Sequence, residues 1–197
     1  RALTSNIDGE KNTAIGYNAM EANTTADNNV AVGAQALQAN TTGTNNTAVG
    51  FDALNDNVTT SGNTAIGKQS LSKNIAANNT SVGYLSLVEN TTGANNVAVG
   101  FEALQENTTG ASNTAVGSES LDANTTGSDN VAMGRHALGG NTTGVQNTAL
   151  GKSSLFSNTT AGNNIAVGFE AAKLNTTGTR IIAIGANAYD ASDTEND

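Results

Sequence analysis

The amino-acid sequence predicts an all-β protein, a parallel β-solenoid (β-roll) of eleven coils with 17 residues in each coil. One motif, N-[T/V]-A-[V/I]-G-x-x-A-L-x-x-N-T-T-G-x-N, returns along the whole chain, and its apolar positions accept only a narrow range of side-chain sizes. A fixed period of this kind determines the architecture before any single residue is interpreted. The motif glycines are Gly16, Gly33, Gly50, Gly67, Gly83, Gly100, Gly117, Gly134, Gly151, Gly168 and Gly185.

The spacing of these glycines excludes the common helical repeats. Successive glycines are 17 residues apart, except that Gly67 and Gly83 are 16 apart. This period is shorter than that of helical repeats or propeller blades, and Asn, Thr, Gly and Val are poor helix formers. We therefore expect two short strands per coil, each paired in parallel with its copies above and below, in a single domain over residues 1–197. Because the chain opens within a repeat, we expect it to be part of a longer repeat-containing fibre.

The first strand of each coil is predicted at N-[T/V]-A-[V/I]-G, for example at residues 46–50. Side chains alternate along a strand, so Thr47 and Val49 share one face and Ala48 takes the other. We expect the small Ala column to lie inside the coil and the Val/Ile column to form the subunit interface. That predicted interface comprises Ile15, Val32, Val49, Ile66, Val82, Val99, Val116, Met133, Val167 and Ile184.

The second strand is predicted at x-x-A-L, for example at residues 51–54, where Leu54 would pack against Ala across a narrow interior. The loop N-T-T-G-x-N closes each coil, and the Asn columns that include Asn40 and Asn46 are expected to stack as amide ladders along the fibre axis. The loop glycines are expected to supply positive φ. They are Gly43, Gly93, Gly110, Gly127, Gly144 and Gly178.

Segments such as "NNVAVGFEAL" and "NTAIGKQSL" resemble the head repeat of trimeric autotransporter adhesins. The resemblance covers nearly all of the chain. It implies a left-handed parallel β-roll, three chains associated side by side, and display on a bacterial outer membrane. Two features differ from that family: the usual period there is shorter, and no neck, stalk or anchor is present in this sequence. Similar Asn/Thr-rich repeats also occur in phage tail fibres.

Composition and charge exclude several classes of function. The net charge of -9 argues against nucleic acid as a partner, and no apolar run is long enough for a membrane helix. The sequence has no Cys, and His136 is its one histidine, on a position where polar residues point outward. We therefore predict no catalytic residue, no metal site, no cofactor and no membrane contact within this segment, and the chain is not expected to be an enzyme.

The position directly after the motif glycine collects most of the aromatic residues, mixed with basic ones. One interpretation is packing over a coil corner or a subunit seam. The other is a ligand-contacting stripe, because exposed aromatic rings favour recognition. The residues of this predicted partner-binding stripe are Tyr17, Phe51, Tyr84, Phe101 and Phe169.

Three functions remain open at this stage. The first is a structural and adhesive module of a surface fibre, a homotrimeric rod that binds a host matrix protein, a surface glycan or another cell-surface component through repeated shallow contacts. The second is a receptor-binding or spacer segment of a viral tail fibre. The third, favoured least, is an ice-binding protein that uses stacked threonines such as Thr41 and Thr42.

Overall fold

A computed structural model describes residues 1–189. It contains eleven three-residue strands in one parallel sheet, in sequence order and without a crossover. Equivalent positions pair in register, as Ala48 does with Ala65. The strands are β1 (Thr13–Ile15), β2 (Val30–Val32), β3 (Thr47–Val49), β4 (Thr64–Ile66), β5 (Thr80–Val82), β6 (Val97–Val99), β7 (Thr114–Val116), β8 (Val131–Met133), β9 (Thr148–Leu150), β10 (Ile165–Val167) and β11 (Ile182–Ile184). The predicted all-β solenoid with coils of 17 residues is confirmed.

The interior is built from the same three positions in each coil, which are apolar in most coils and serine at one or two of them in the others. In the third coil these are Ala48 on β3 together with Ala53 and Leu54 after the motif glycine, and all three are completely buried. Thr47 and Val49 point the other way and keep part of their surface exposed. The Ala column therefore faces the interior, as predicted. A coil this narrow leaves room for methyl groups opposite one column of leucine.

The predicted second strand is wrong. Residues 51–54 form a turn, in which Asp52 and Leu54 both adopt positive φ, 60° and 52°. The Asp52 amide donates to the Ala34 carbonyl one coil below (3.0 Å), whereas the Leu54 amide donates to the Ser70 carbonyl one coil above (3.0 Å). The left-handed conformation costs an L-residue about 1–2 kcal/mol. Here it directs the Asp52 amide to the coil below and the Leu54 amide to the coil above. It also points the neighbouring side chains of Ala53 and Leu54 into the interior.

The role predicted for the loop glycines is also wrong, because none of the six has positive φ. Gly43 is required for a different reason. A Cβ atom at this position would lie 2.3 Å from the Thr60 carbonyl oxygen of the next coil and 2.5 Å from Asn40 Oδ1. Positive φ occurs instead at the motif glycines, such as Gly50 with φ 136°. The loop glycines are therefore small because the coils approach closely, and not because the backbone turns.

Both predicted asparagine ladders are present and buried. In the first, Asn57 Nδ2 donates to Asn40 Oδ1 one coil below (3.0 Å) and to the Thr60 carbonyl of its own loop (3.0 Å). In the second, the Asn46 amide donates to Asn29 Oδ1 (2.8 Å) and Asn46 Nδ2 donates to the Thr60 carbonyl (2.9 Å). Within residues 1–189, every buried side-chain nitrogen and oxygen has a hydrogen-bond partner.

Three serines replace alanines in the core next to the one 16-residue coil. Ser70 Oγ lies 2.7 Å from Ser81 Oγ, which in turn lies 2.7 Å from Ser86 Oγ. Ser81 is the one exception that the sequence shows in the Ala column of the strands. The three hydroxyl groups therefore satisfy one another, whereas the single core serines Ser120 and Ser154 each donate to the carbonyl of their own motif glycine.

Candidate binding surface

The outward side of the sheet has one apolar column along the length of the solenoid, at the third position of every strand. All ten residues predicted for the interface lie on this side and are half-buried or exposed, with Ile15 at 61% and Ile184 at 69% exposure. The first strand position adds to the same face, because Val97 and Ile165 are also exposed. We call this surface the outer strand face. A sheet face in contact with water is usually polar. This face carries threonine at the first position of six strands, but its third position is apolar in every strand.

A second exposed column follows the outer strand face across the motif glycine. It contains the five aromatic residues predicted as a stripe, and all five are exposed. Backbone hydrogen bonds hold the column in register from coil to coil. The Gln69 amide donates to the Phe51 carbonyl (2.9 Å), and the Glu102 amide donates to the Tyr84 carbonyl (2.9 Å). We call it the aromatic column; its described members are Tyr17, Ala34, Phe51, Lys68, Tyr84, Phe101, Ser118, Arg135, Lys152, Phe169 and Ala186.

Neighbouring side chains in the aromatic column contact one another along the axis. The rings of Tyr84 and Phe101 stack with centroids 5.5 Å apart and planes inclined by 14°. Where a lysine is next to a ring, its ammonium group lies over that ring. Lys68 Nζ is 5.6 Å from the centroid of Tyr84, and Lys152 Nζ is 5.4 Å from that of Phe169. These are distances at which a ring attracts a cation.

The single histidine belongs to a separate cluster. His136 is half-buried, with Nδ1 3.1 Å from Glu119 Oε2 and its ring edge-on to Phe156 at 6.0 Å. The pKa of the nearby Asp122 carboxyl is raised to about 6. Burial is the largest cause and the charge of Glu119 adds to it, whereas backbone hydrogen bonds and His136 act to lower the pKa. The sequence correctly predicts that His136 lies at a position whose side chain points outward. It does not predict the contact with Phe156, which comes from a later coil and a different column.

Gly139 explains how this cluster forms. A Cβ atom at Gly139 would lie 3.1 Å from Asp122 Oδ1 and 3.2 Å from the Phe156 ring. The missing side chain therefore lets the ring of Phe156 approach Asp122 and reduce its access to water. In the sequence, the one signal for this contact is the pair Gly139–Gly140 at positions where most coils carry larger residues.

Potential metal ligands do not cluster among residues 1–189. No group of three or more His, Asp or Glu side chains in this part of the chain is placed to hold a metal ion. The same residues include no helix with the length and hydropathy of a membrane span. What the described surface offers is two parallel exposed columns, one of branched aliphatic and one of aromatic residues.

No protein-family model matches the chain, and no curated protein and no solved structure matches it. The functional assignment therefore depends on the repeat motif and on the surface described above.

Proposed function

We propose that the chain is a non-catalytic structural and adhesive module of an extracellular surface fibre. In this proposal three copies pack side by side through the outer strand face, and the aromatic column binds a ligand through repeated shallow contacts. The observation that carries the proposal is the outer strand face, which has an apolar side chain at the third position of all eleven strands although nothing in the single chain covers it.

The outer strand face supports association because exposed apolar patches of this extent mark contact surfaces. Apolar side chains such as Val32 and Val49 recur at the coil spacing, so a second rod laid alongside meets an apolar side chain at every step. Burying such a column gains roughly 25 cal/mol for each Å² of apolar surface removed from water. The homotrimer is the state implied by the resemblance to trimeric autotransporter adhesin heads, as is display on the bacterial outer membrane.

The aromatic column supports adhesion because it offers many similar contacts and no single deep cleft. One ring at an exposed site contributes little, but several rings on one rigid rod, multiplied by three chains, act through avidity. The partners that fit such a surface are a host matrix protein, a surface glycan or another cell-surface component. The same rod in a phage tail fibre would use the same columns on a different particle.

Ice binding gains less support from the loop threonines. Thr41 Oγ1 donates to the Val58 carbonyl (3.1 Å) and Thr91 Oγ1 donates to the Thr108 carbonyl (2.9 Å), so these hydroxyl groups are committed to the next coil. An ice lattice needs outward hydroxyl groups in a regular array. The second threonine of each pair, such as Thr42 or Thr92, is exposed, but residues 74–79 of the 16-residue coil contain no threonine and interrupt the array. We therefore do not assign that function.

The adhesion proposal is tested by removing the rings. The variant carries Ala in place of Tyr17, Phe51, Tyr84, Phe101 and Phe169, and the assay measures binding of the fluorescently labelled oligomer to arrays of matrix proteins and glycans. We expect the wild type to bind at least one class of surface and the variant to lose at least about tenfold in avidity, because each ring contributes additively.

A matched control separates loss of rings from loss of surface in general. It carries alanine in place of five exposed loop threonines, and it is expected to bind like the wild type. The control positions are Thr42, Thr92, Thr109, Thr126 and Thr143. Equal binding by the ring variant and the wild type would contradict the adhesive role of the column, and binding only to phage receptors such as bacterial surface polysaccharide would favour the tail fibre.

A further inference from the structure

The aromatic column contains two places where rings stand two coils apart with one residue between them. Lys68 lies between Phe51 and Tyr84, and Ala34 lies between Tyr17 and Phe51. Parallel strands are about 4.8 Å apart, so two rings separated by one coil stand about 9.6 Å apart. Subtracting the thickness of a ring, about 3.5 Å, leaves a slot of about 6 Å.

The chain fills the first slot itself. The Lys68 ammonium lies over Tyr84, 5.6 Å from the ring centroid. The near-parallel stack of Tyr84 on Phe101 shows that rings of adjacent coils in this column can present their faces to each other. Lys152 adopts the same arrangement over Phe169. The fold thus shows twice that a lysine in this column lies over the ring of the next coil, and at Lys68 it does so between two rings.

The second slot is not filled from within. The Ala34 side chain is one methyl group and does not reach across about 6 Å between the rings of Tyr17 and Phe51. Tyr17 is the first member of the aromatic column and is exposed, whereas the two faces of Tyr84 meet Lys68 and Phe101. The open slot and the occupied slot share Phe51 as a common wall and differ in the residue between the rings.

The charge around the open slot favours a cation. Between Lys11 and Lys68 the chain has no Lys, Arg or His. The same stretch carries four carboxylates, Glu21, Asp27, Asp52 and Asp56, and Asp52 directly follows Phe51. This section of the chain is therefore acidic, and the nearest cations are Lys68, one coil from Phe51, and Arg1, whose carbonyl accepts from the Asn18 amide (2.9 Å). A positive group between two rings gains both from their faces and from this field.

We propose that the slot over Ala34 binds a cationic side chain, a lysine or an arginine, of a protein partner. The partner side chain enters from outside and occupies the position that Lys68 occupies one coil pair further along. This inference rests on the proposed adhesive function, and it identifies the ligand class as a basic segment of a protein and not as a glycan.

The slot is tested with a small probe, Nα-acetyl-L-lysine methylamide, and its uncharged isostere Nα-acetyl-L-norleucine methylamide. Tyrosine rings are labelled with ¹³C, and the three tyrosine signals are followed by NMR at physiological salt. We expect the lysine probe to shift the Tyr17 signal and leave Tyr84 unchanged. The norleucine probe should bind about fivefold more weakly, because it lacks the cation–ring attraction. Equal shifts with both probes overturn the proposal.

Two variants test the slots: one places a lysine in the open slot, and the other removes the lysine from the occupied slot. Ala34→Lys supplies the internal cation that Lys68 supplies elsewhere, and it should weaken the response of Tyr17 at least about fivefold. Lys68→Ala opens the slot between Phe51 and Tyr84, and it should make the Tyr84 signal respond to the lysine probe as Tyr17 does in the wild type. Both substitutions are on the exposed column and leave the core untouched. An unchanged Tyr17 response in Ala34→Lys, or a silent Tyr84 in Lys68→Ala, overturns the slot.

The adhesion assay distinguishes this inference from the proposed function. Reduced adhesion of Ala34→Lys to matrix proteins supports both. If the five-alanine ring variant loses adhesion and Ala34→Lys keeps it, the slot assignment is wrong and the adhesive function stands. If both variants adhere like the wild type, the adhesive function is wrong. The NMR titration of the tyrosine rings with the lysine probe then still decides whether the slot binds a cation.

Discussion

At the scale of single residues, the buried asparagines contribute most to the specificity of the fold. Each ladder amide satisfies backbone groups that a coil without a second strand leaves unpaired. Asn107 is typical: its Nδ2 donates to Asn90 Oδ1 (2.7 Å) and to the Gly110 carbonyl (3.0 Å), and its Oδ1 accepts from Asn124 (2.8 Å). An apolar side chain of equal volume would remove all three bonds from a site without water.

We predict that Asn107→Leu lowers the free energy of unfolding by about 2–4 kcal/mol, because Asn90 Oδ1 is left buried without a donor. The measurement is the midpoint of urea unfolding. Thr92→Ala, on an exposed loop position of the preceding coil, is the control and should stay within about 0.5 kcal/mol of the wild type. A leucine variant as stable as this control would show that the ladder is not required for stability.

A second prediction at this scale concerns pH. The folded chain holds the Asp122 proton up to about pH 6, whereas an unfolded Asp releases it near pH 4. The folded state thus binds more protons between these values, and the contribution of Asp122 to stability falls as pH rises from about 4 to about 6. Above pH 6 the carboxylate is charged and partly buried beside Glu119, which destabilises the fold.

Asp122→Asn removes this charge and should raise stability at pH 7 by about 1 kcal/mol, after allowance for the partial exposure of the group. In a chain of this size, such a change corresponds to about 2–4 °C in Tm. The difference in Tm between the variant and the wild type, measured from pH 4 to pH 7.5, should increase as the Asp122 carboxyl loses its proton. A difference that does not change with pH would contradict the role assigned to burial.

At the scale of the structural element, each coil consists of one short strand, one left-handed turn and one loop. The turn is the element that sequence patterns describe least well, because leucine at positive φ is unfavourable by itself. Its stability comes from the coils on both sides, which the backbone of the turn contacts through alternating hydrogen bonds. The motif glycine allows this close stacking.

We predict that Gly100→Ala destabilises the fold by about 1–3 kcal/mol more than Gly185→Ala. Both glycines have large positive φ, 146° and 126°, so both substitutions strain the backbone. At Gly100 the new methyl would also lie 2.4 Å from the Gly117 carbonyl oxygen, whereas at Gly185 the nearest atom is 3.9 Å away. The difference in stability between the two variants, measured by thermal unfolding, gives the cost of the steric contact. Equal losses of stability would mean that backbone strain at positive φ accounts for the whole effect.

At the scale of the whole molecule, the coils stack into a rod about 53 Å long, from eleven coils at about 4.8 Å each. Such a rod obtains its core by repetition, because ordering a lone coil costs about 1–2 kcal/mol per residue with almost no interior to compensate. The outer strand face is the part of the rod that remains to be covered. Association with further copies would cover it.

We predict that replacing Val49, Val99 and Val116 together with Lys converts an oligomer into a soluble monomer of 19.7 kDa. These side chains are partly exposed in the single chain, so the lysines should leave the coil folded while placing charges in the contact between copies. Sedimentation velocity measures the mass, and circular dichroism compares the fold with that of the wild type.

The control for this experiment carries the same three charges on a different face. Lysines at Thr42, Thr92 and Thr109, which are exposed loop residues, should leave the oligomer intact. If the valine variant still sediments as the wild type does, the contact between copies lies on another face of the rod.

The sequence by itself determined the period, the parallel stacking, the interior Ala and Leu columns and both asparagine ladders, because each of these properties repeats in every coil. It also placed the aromatic residues in one exposed column. The tertiary structure alone decided that residues 51–54 form a turn and that Gly43 serves close approach, because both depend on atoms of the adjacent coils. The ring contacts and the Asp122 site likewise arise between coils, where small differences at Ala34 and Gly139 change what the neighbouring side chain can reach. A repeat motif specifies the average coil, and function at a surface depends on where the coils differ.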